Sequence, residues 1–307
     1  MQPFNLTVPM YHYVRDTEKT LFPKIYAISL SEFDRQLDYL QSNYNLISWP
    51  ELRKFFQRAG RLPENPCLLT FDDGFKDAYT NVFPRLRKRG LHGLFFVINR
   101  PDGKVALVHL LQFLIAKFGE EEFRNLFLAE LNDEEKKLFA EKEEQCLRDN
   151  PKAKFGDVKL RALKMVIQKY MPATAFLAVE RLFERHVGSS EEFARDLYLS
   201  DSETREMKKA GMSFGGHGTR HFWFTWETAE ERDREIKGSA EMLAKIEEAP
   251  FIMSYPYGDY DKNNFAELQK YNFLAAVTIN ENIYQENPLM LNRVDAFQLI
   301  DRLQKLE

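Results

Sequence analysis

Residues 67–74 read Cys-Leu-Leu-Thr-Phe-Asp-Asp-Gly, and this stretch indicates the class of fold. Its first five residues form a compact apolar run, which is typical of a strand buried on both faces of a parallel sheet. Because side chains alternate along a strand, Asp72 and Asp73 leave it in different directions. One carboxylate can therefore bind a metal ion while the other addresses a metal-bound water. Taken alone, the Asp-Asp pair fits an ordinary strand-to-turn cap better.

A strand-helix rhythm extends on both sides of this stretch. Ser29 with Glu32 three residues later is typical of a capping box at a helix start. Alternating strands and helices indicate a parallel sheet or barrel with outer helices. The predicted strands cover residues 6–14, 67–71, 93–98, 212–214, 251–255, 273–279 and 289–294, and the longer predicted helices cover 29–40, 79–88 and 230–248.

The alternation stops between residues 105 and 201, where Glu, Lys, Leu, Phe and Ala dominate and turn signals are few. Apolar residues recur there at helical spacing, as in 107–115 and 160–170. We therefore predict one discontinuous α/β domain formed by residues 1–104 and 202–307. Residues 105–201 are predicted to form a helical insertion, and its place in the chain suggests a lid over the barrel.

Composition excludes several classes of protein. The chain has 307 residues, of which 44% are hydrophobic and 29% charged, so it can form a large core and is not a disordered chain. Its formal net charge of -4 argues against a basic nucleic-acid binder. No segment approaches the roughly 20 apolar residues of a membrane span. The N-terminal stretch lacks the features of a secretory signal, so a cytoplasmic location is expected.

Three polar stretches follow predicted buried strands. In parallel α/β folds the carboxyl ends of the strands form the active face, so residues from different strands can converge there. The stretches are Thr70–Gly74, His217–His221 and Ser254–Gly258.

The side chains of these stretches fit a metal centre. His217 and His221 are four positions apart and would share one face of a helical turn. With Asp73 they would form a two-histidine, one-carboxylate site with open positions for water and substrate. A metal ion lowers the pKa of bound water to about 7, and Asp72 would take its proton as general base. The backbone N–H of Tyr257 would stabilise a tetrahedral oxyanion.

The same stretches, in this order, resemble the motifs of the polysaccharide deacetylase family, carbohydrate esterase family four. Thr-Phe-Asp-Asp-Gly is similar to the first motif of that family, and Tyr-Pro-Tyr-Gly to part of the third. His217–His221 is similar to the second motif, His-[Ser/Thr]-x-x-His, with Gly218 where Ser or Thr is usual and Thr219 one place on. The resemblance implies a distorted (β/α) barrel of about seven strands and hydrolysis of an N-acetyl group on an amino sugar. It also implies that Asp72 is the base and that Asp73, His217 and His221 hold the metal.

Two further departures concern catalytic groups. The arginine that usually precedes the third motif's proline is replaced by Ser254, and Arg293 on a neighbouring strand is the candidate substitute. The late Leu-x-His motif, which supplies the general acid, is missing. However, Met10–Val14 resembles the opening of the circularly permuted branch that includes the poly-N-acetylglucosamine deacetylases. That branch takes its acid histidine from the first strand, which implies that His12 protonates the leaving amine.

The sequence leaves alternatives open. The donor set suits Zn²⁺, and Co²⁺, Ni²⁺ or Fe²⁺ bind similar sites. The expected partner is an N-acetylated amino sugar, a glycan or a nucleotide- or lipid-linked sugar, and an N-formyl sugar would need the same site. Trp223 and Trp226 fit either a sugar-stacking surface or a hydrophobic core. Two alternative hypotheses belong to other functional classes. One is a catalytically silent sugar-binding protein, and the other is a non-haem iron oxygenase.

Overall fold

A computed structural model describes residues 2–18, 20–100, 102–149, 158–171 and 173–306. The chain forms two compact units. The first comprises Met1–Asp16, Tyr26–Pro101 and Leu197–Glu307, and the second comprises Thr17–Ile25 and Asp102–Asp196.

The first unit contains the strands. They are β1 (Phe4–Asn5), β2 (Pro9–Tyr11), β3 (Asn45–Leu46), β4 (Pro66–Cys67), β5 (Thr70–Phe71), β6 (Leu94–Val97), β7 (Ser213–Gly216), β8 (Phe251–Ser254), β9 (Phe273–Val277), β10 (Tyr284–Gln285) and β11 (Val294–Asp295). Seven of them form a parallel sheet in the order β11-β2-β5-β6-β7-β8-β9. The predicted barrel class of about seven strands is confirmed.

The helices are α1 (Leu30–Asn43), α2 (Trp49–Phe56), α3 (Phe83–Lys88), α4 (Leu107–Phe118), α5 (Glu120–Ala129), α6 (Asp133–Asp149), α7 (Val158–Met165), α8 (Ala173–His186), α9 (Ser190–Leu197), α10 (Asp201–Lys209), α11 (Ala229–Leu243), α12 (Asn264–Lys270) and α13 (Leu299–Leu306). Among the described residues, no helix has both the length and the apolar character needed to cross a membrane.

The sheet curls because its two edges are joined by one segment. Leu291 bridges to Val277 of β9, and three residues later Val294 pairs with Pro9 of β2. The apolar strand residues form the core of this barrel. For example, Phe71 stacks on Phe95 with 4.8 Å between ring centroids. Because the strands are parallel, all their carboxyl ends lie at one edge of the barrel.

Several elements differ from the predicted ones. The predicted strand 6–14 is reduced to β2 with isolated bridges at Thr7 and Val14, and the run 67–71 is divided between β4 and β5. Ser29 caps α1 by accepting the Glu32 N–H at 3.2 Å. The capping box is incomplete, because the Glu32 carboxylate binds Arg35 instead of turning back to Ser29.

The second unit is built from helices and an aromatic core. It includes residues 17–25, which the sequence analysis placed with the barrel. Phe22 explains this difference, since its ring lies 4.8 Å from Phe113 and 5.9 Å from Phe193. Because these residues lie far apart in the chain, no local sequence pattern predicts their contact.

Candidate active site

Asp72 and Asp73 follow β5 at the carboxyl edge of the barrel, and both are about 4% exposed. Asp73 has a backbone φ of 70°, and Gly74 follows with φ of 66°. Left-handed backbone is unfavourable for a residue with a side chain, and such strain occurs most often at functional sites. After this turn Asp73 faces His217 and His221, whereas Asp72 pairs with Arg293 and approaches His217 at 3.9 Å.

His217 and His221 follow β7, and both are buried. The predicted helical turn between them is wrong, because residues 217–223 form a loop. Gly218 and His221 adopt positive φ angles of 74° and 57°. These two left-handed residues reverse the chain and bring the imidazoles together, with Nε2 atoms 3.2 Å apart.

Asp73 completes a compact triangle with the two histidines. Its Oδ1 lies 3.3 Å from Nε2 of His217 and 3.4 Å from Nε2 of His221. A tetrahedral zinc ion with bonds of about 2.0–2.1 Å needs donor atoms roughly 3.3–3.4 Å apart. The predicted ligands Asp73, His217 and His221 therefore fit a divalent metal ion in spacing and in donor type. They form the only such group found among the residues that the structure describes.

The contacts of His217 prepare it for this role. Its Nδ1 lies 2.7 Å from the carbonyl oxygen of Ser254, which can only accept a hydrogen bond. In the neutral imidazole, Nδ1 thus carries the proton and Nε2 offers its lone pair to the site. Burial by itself lowers the pKa of His217, but the hydrogen bond that its protonated ring donates to Asp73, together with the charges of Asp72 and Asp73, raises the pKa above its usual value. The same negative charges favour a bound cation.

Asp72 forms a buried ion pair with Arg293. Two guanidinium nitrogens of Arg293 donate to the two carboxylate oxygens, at 2.7 and 2.8 Å. Burial alone would raise the pKa of Asp72, but the Arg293 charge and the nearby His217 hold the pKa below its usual value. Asp72 is therefore ionised at neutral pH and can accept a proton.

Ser254 and Thr278 complete the setting of Arg293. Ser254 Oγ accepts from Arg293 at 3.0 Å and donates to Asp72 at 3.2 Å, while the Thr278 carbonyl accepts from Arg293 Nε at 2.8 Å. Arg293 thus contacts the carboxylate that the missing motif arginine would contact, as the sequence analysis proposed. Ser254, which stands where the family motif usually has arginine, is itself part of this hydrogen-bond network.

His12 follows β2 and lies beside Asp72. Its Nε2 is 3.9 Å from Oδ2 of Asp72, the same distance at which His217 Nε2 approaches that oxygen. The His12 side chain is 38% exposed, whereas that of His217 is 2% exposed. His12 is therefore not a core histidine, and part of its side chain is open to solvent.

The strand end that carries His12 is held by Asp77, which the sequence analysis did not single out. Oδ2 of Asp77 accepts from the Val14 N–H at 3.1 Å and from Arg15 Nε at 2.6 Å. Burial raises the pKa of Asp77, although Arg15 opposes this. No local pattern marks such a residue, because its partners lie more than 60 positions away in the chain.

Tyr257 lies next to the histidines in a short helical turn after β8. Its ring is 4.6 Å from that of His221, and its backbone has a positive φ of 58°. The ring of Trp223 stacks on Tyr257 at 4.2 Å and on Trp226 at 4.4 Å. The structure therefore brings Tyr257 to the site, and its role as an oxyanion donor stays a prediction.

The fold and the site together define a (β/α) barrel protein with a candidate metal-dependent hydrolytic centre. The family model "Polysaccharide deacetylase" matches residues 59–110 and 150–276, more than half of the chain. The chain therefore belongs to the polysaccharide deacetylase family, which confirms the family predicted from the motifs.

The similarity to an individual curated relative covers only part of the chain. YxkH of Bacillus subtilis (strain 168), a candidate polysaccharide deacetylase, is 28% identical over 103 residues. That match covers 33% of this chain and only 35% of YxkH.

Solved structures resemble almost the whole chain. The deacetylase PplD of Streptococcus pyogenes has a TM-score of 0.59 at 17% identity and covers 99% of both chains. The de-N-acetylase of Aggregatibacter actinomycetemcomitans also has a TM-score of 0.59, at 15% identity, and covers 99% of this chain and 100% of its own. IcaB of Ammonifex degensii has a TM-score of 0.54 at 19% identity over 95% of this chain and 92% of its own. At these identities the likeness establishes the shared fold.

Proposed function

We propose that this protein hydrolyses the N-acetyl group of an amino sugar with the help of a divalent metal ion. The observation that carries this proposal is the triangle of Asp73, His217 and His221, with an ionised carboxylate and an accessible histidine beside it. The family supports the reaction class. PplD was solved in complex with acetate, the acid that such a reaction releases.

Asp73, His217 and His221 would hold the metal ion. When bound, the ion lowers the pKa of a water molecule and polarises the acetyl carbonyl. Three protein donors would leave room for both, as in catalytic zinc sites. Zn²⁺ is the ion that we propose, since two imidazoles and one carboxylate form one of its common donor sets.

Asp72 acts as the general base in this proposal. Its Oδ2 lies 3.9 Å from Nε2 of His217 and thus borders the candidate metal site. Arg293 keeps it ionised and, through two hydrogen bonds, fixes the orientation of its carboxylate. A base with few accessible rotamers needs little reorganisation when it takes the proton from water.

His12 acts as the general acid. Its Nε2, like that of His217, lies 3.9 Å from Oδ2 of Asp72, and it is the more exposed of these two histidines. It donates a proton to the nitrogen as the C–N bond breaks, so that an amine leaves and acetate remains. The backbone N–H of Tyr257 is proposed to stabilise the oxyanion formed before that step.

The proposed substrate is an amino sugar that carries an N-acetyl group, either free or attached to a nucleotide, a lipid or a glycan. Mass spectrometry tests this proposal with metal-loaded protein and a panel of these compounds. The panel also includes N-formyl sugars, so that the experiment shows whether acetyl or formyl groups are removed.

Three proteins should be compared in this experiment. Wild type should remove one acetyl mass from at least one compound, Asp72→Asn should remove none, and His92→Ala should match wild type. His92 is a suitable control because it precedes β6, at the barrel edge opposite the candidate site. If metal-loaded wild type changes no compound, the hypothesis of a catalytically silent sugar-binding protein replaces the proposed hydrolase function.

A further inference from the structure

The loop between the two candidate metal histidines is stabilised by a carboxylate from a different element. The N–H groups of Thr219 and Arg220 both donate to Oε2 of Glu235, at 2.5 and 3.0 Å. Consecutive N–H groups that converge in this way form a concave anion site. Here, a side chain of α11 in the protein itself fills that site.

Glu235 is buried, at 1% exposure, and both of its oxygens are used. Its Oε1 accepts from Arg220 Nε at 2.8 Å, so the charge of the carboxylate is balanced by a guanidinium group. Removing this carboxylate would leave the N–H groups of Thr219 and Arg220 without their acceptor. Both hydrogen bonds are partly buried, so water would replace the lost acceptor only in part and the loop would be destabilised.

Gly218 leaves room for this arrangement. A Cβ atom built on Gly218 would stand 2.9 Å from Oε2 of Glu235, closer than real Cβ contacts allow. A serine or threonine at this position, as in the related motif, would therefore collide with the carboxylate. The glycine and Glu235 together form an alternative way to order the loop.

We propose that Glu235 is a positioning residue of the metal centre. It fixes the loop backbone between His217 and His221 and thereby holds the two imidazoles at the spacing that a metal ion requires. Its hydrogen bonds go to the backbone N–H groups of Thr219 and Arg220 and to the Arg220 side chain, so it acts through the residues between the two histidines. This inference rests on the proposed metal-dependent function.

The test measures metal affinity directly. Zn²⁺ affinity is determined by competition with a chromophoric chelator, and the visible absorption spectrum of bound Co²⁺ reports the geometry of the ligands. Glu235→Ala should weaken Zn²⁺ binding by about 10–100-fold, as is typical for residues that orient metal ligands. Glu235→Gln should lose less affinity, since its amide oxygen can still accept from the two N–H groups.

Glu267→Gln serves as the matched control. Glu267 also forms a two-bond ion pair with an arginine, Arg232, at 2.6 and 2.7 Å, and it accepts from Asn264 at 3.2 Å, so these partners lie outside residues 217–221. This variant should lose thermal stability and keep the wild-type Zn²⁺ affinity. If both Glu235 variants also keep the wild-type affinity and Co²⁺ spectrum, the positioning role is refuted, whatever their melting temperatures.

The inference and the proposed function fail in different ways. If wild type removes acetyl groups and the Glu235 variants bind Zn²⁺ normally, the inference is wrong and the function stands. If the variants lose affinity while metal-loaded wild type removes no acyl group, the function is wrong and the positioning role stands. If the wild-type protein binds no divalent ion, the positioning role of Glu235 is also refuted. Glu235→Gln keeps the volume of the side chain, so it remains informative if Glu235→Ala does not fold.

Discussion

Replacing Arg293 by Met should destabilise the protein chiefly by leaving the charge of Asp72 buried and unpaired. The two side chains are 1% and 3% exposed and are joined by two hydrogen bonds of 2.7 and 2.8 Å. Two unit charges about 4 Å apart interact by about 4 kcal/mol at an effective dielectric constant of about 20. Removing one partner of a buried pair costs about 3–5 kcal/mol in measured cases, and we expect a loss in that range.

The assay is urea denaturation of chelator-treated protein, which separates this effect from metal binding. Adding Asp72→Asn to Arg293→Met removes the unpaired charge and should restore about half of the lost stability or more. The control is Arg85→Met, because the ion pair of Arg85 with Asp34 is 28% and 39% exposed. Such exposed pairs contribute about 0–1 kcal/mol.

The pH dependence supplies a second test. In wild type the pKa of Asp72 is lowered, so its pair adds stability above the unfolded pKa of about 3.9 and loses it as the pH falls below that value. In Arg293→Met, burial raises the pKa of Asp72, so the charged form is destabilising at neutral pH. The difference in free energy of unfolding between wild type and Arg293→Met should therefore shrink from about pH 7 towards about pH 4. A difference that stays constant with pH, together with no rescue of stability by Asp72→Asn, would refute this explanation.

Three further predictions follow from the structure. His12→Ala should reduce kcat by about 100-fold or more, the usual contribution of a positioned acid, while Zn²⁺ affinity stays unchanged in the chelator titration; unchanged turnover would remove His12 from the mechanism. Burial, and after it the charge of Glu235, raises the pKa of Glu227 to about 7, so wild type should lose stability as the pH rises from about 4.5 to about 7. Glu227→Gln should show a flatter pH profile in urea denaturation, and an equally steep one would assign the effect to another group. Gly218→Ala, at φ of 74° and with its Cβ 2.9 Å from Glu235, should cost about 1–3 kcal/mol and weaken Zn²⁺ binding, whereas wild-type values for both would contradict the strain described for this loop.

Sequence reasoning found the parts of the site that are carried by strand ends. Asp72, Asp73 and His217 directly follow or lie close behind buried apolar runs, and parallel strands place such residues at one edge. The pairing of His217 with His221 was predicted for the wrong reason, since a loop and not a helical turn brings them together. The positive φ of His221 that makes this possible has no signature in a single sequence.

The residues that support the site were harder to predict. Glu235 and Asp77 look like ordinary charged residues of helical stretches, and their partners lie far away in the chain. Arg293 was found only because a resemblance showed that an arginine was missing from its usual place. Contacts of this kind depend on tertiary packing, which local periodicity does not encode.

We propose that one metal ion, held by Asp73, His217 and His221, enables removal of an N-acetyl group. The most direct measurement is a stepwise Zn²⁺ titration of chelator-stripped protein with an accepted sugar, following acetate and free amine together. We expect both products to appear in equal amounts and to saturate at one ion per chain. Saturated metal binding without either product, or the same rate at every Zn²⁺ concentration, would contradict the account.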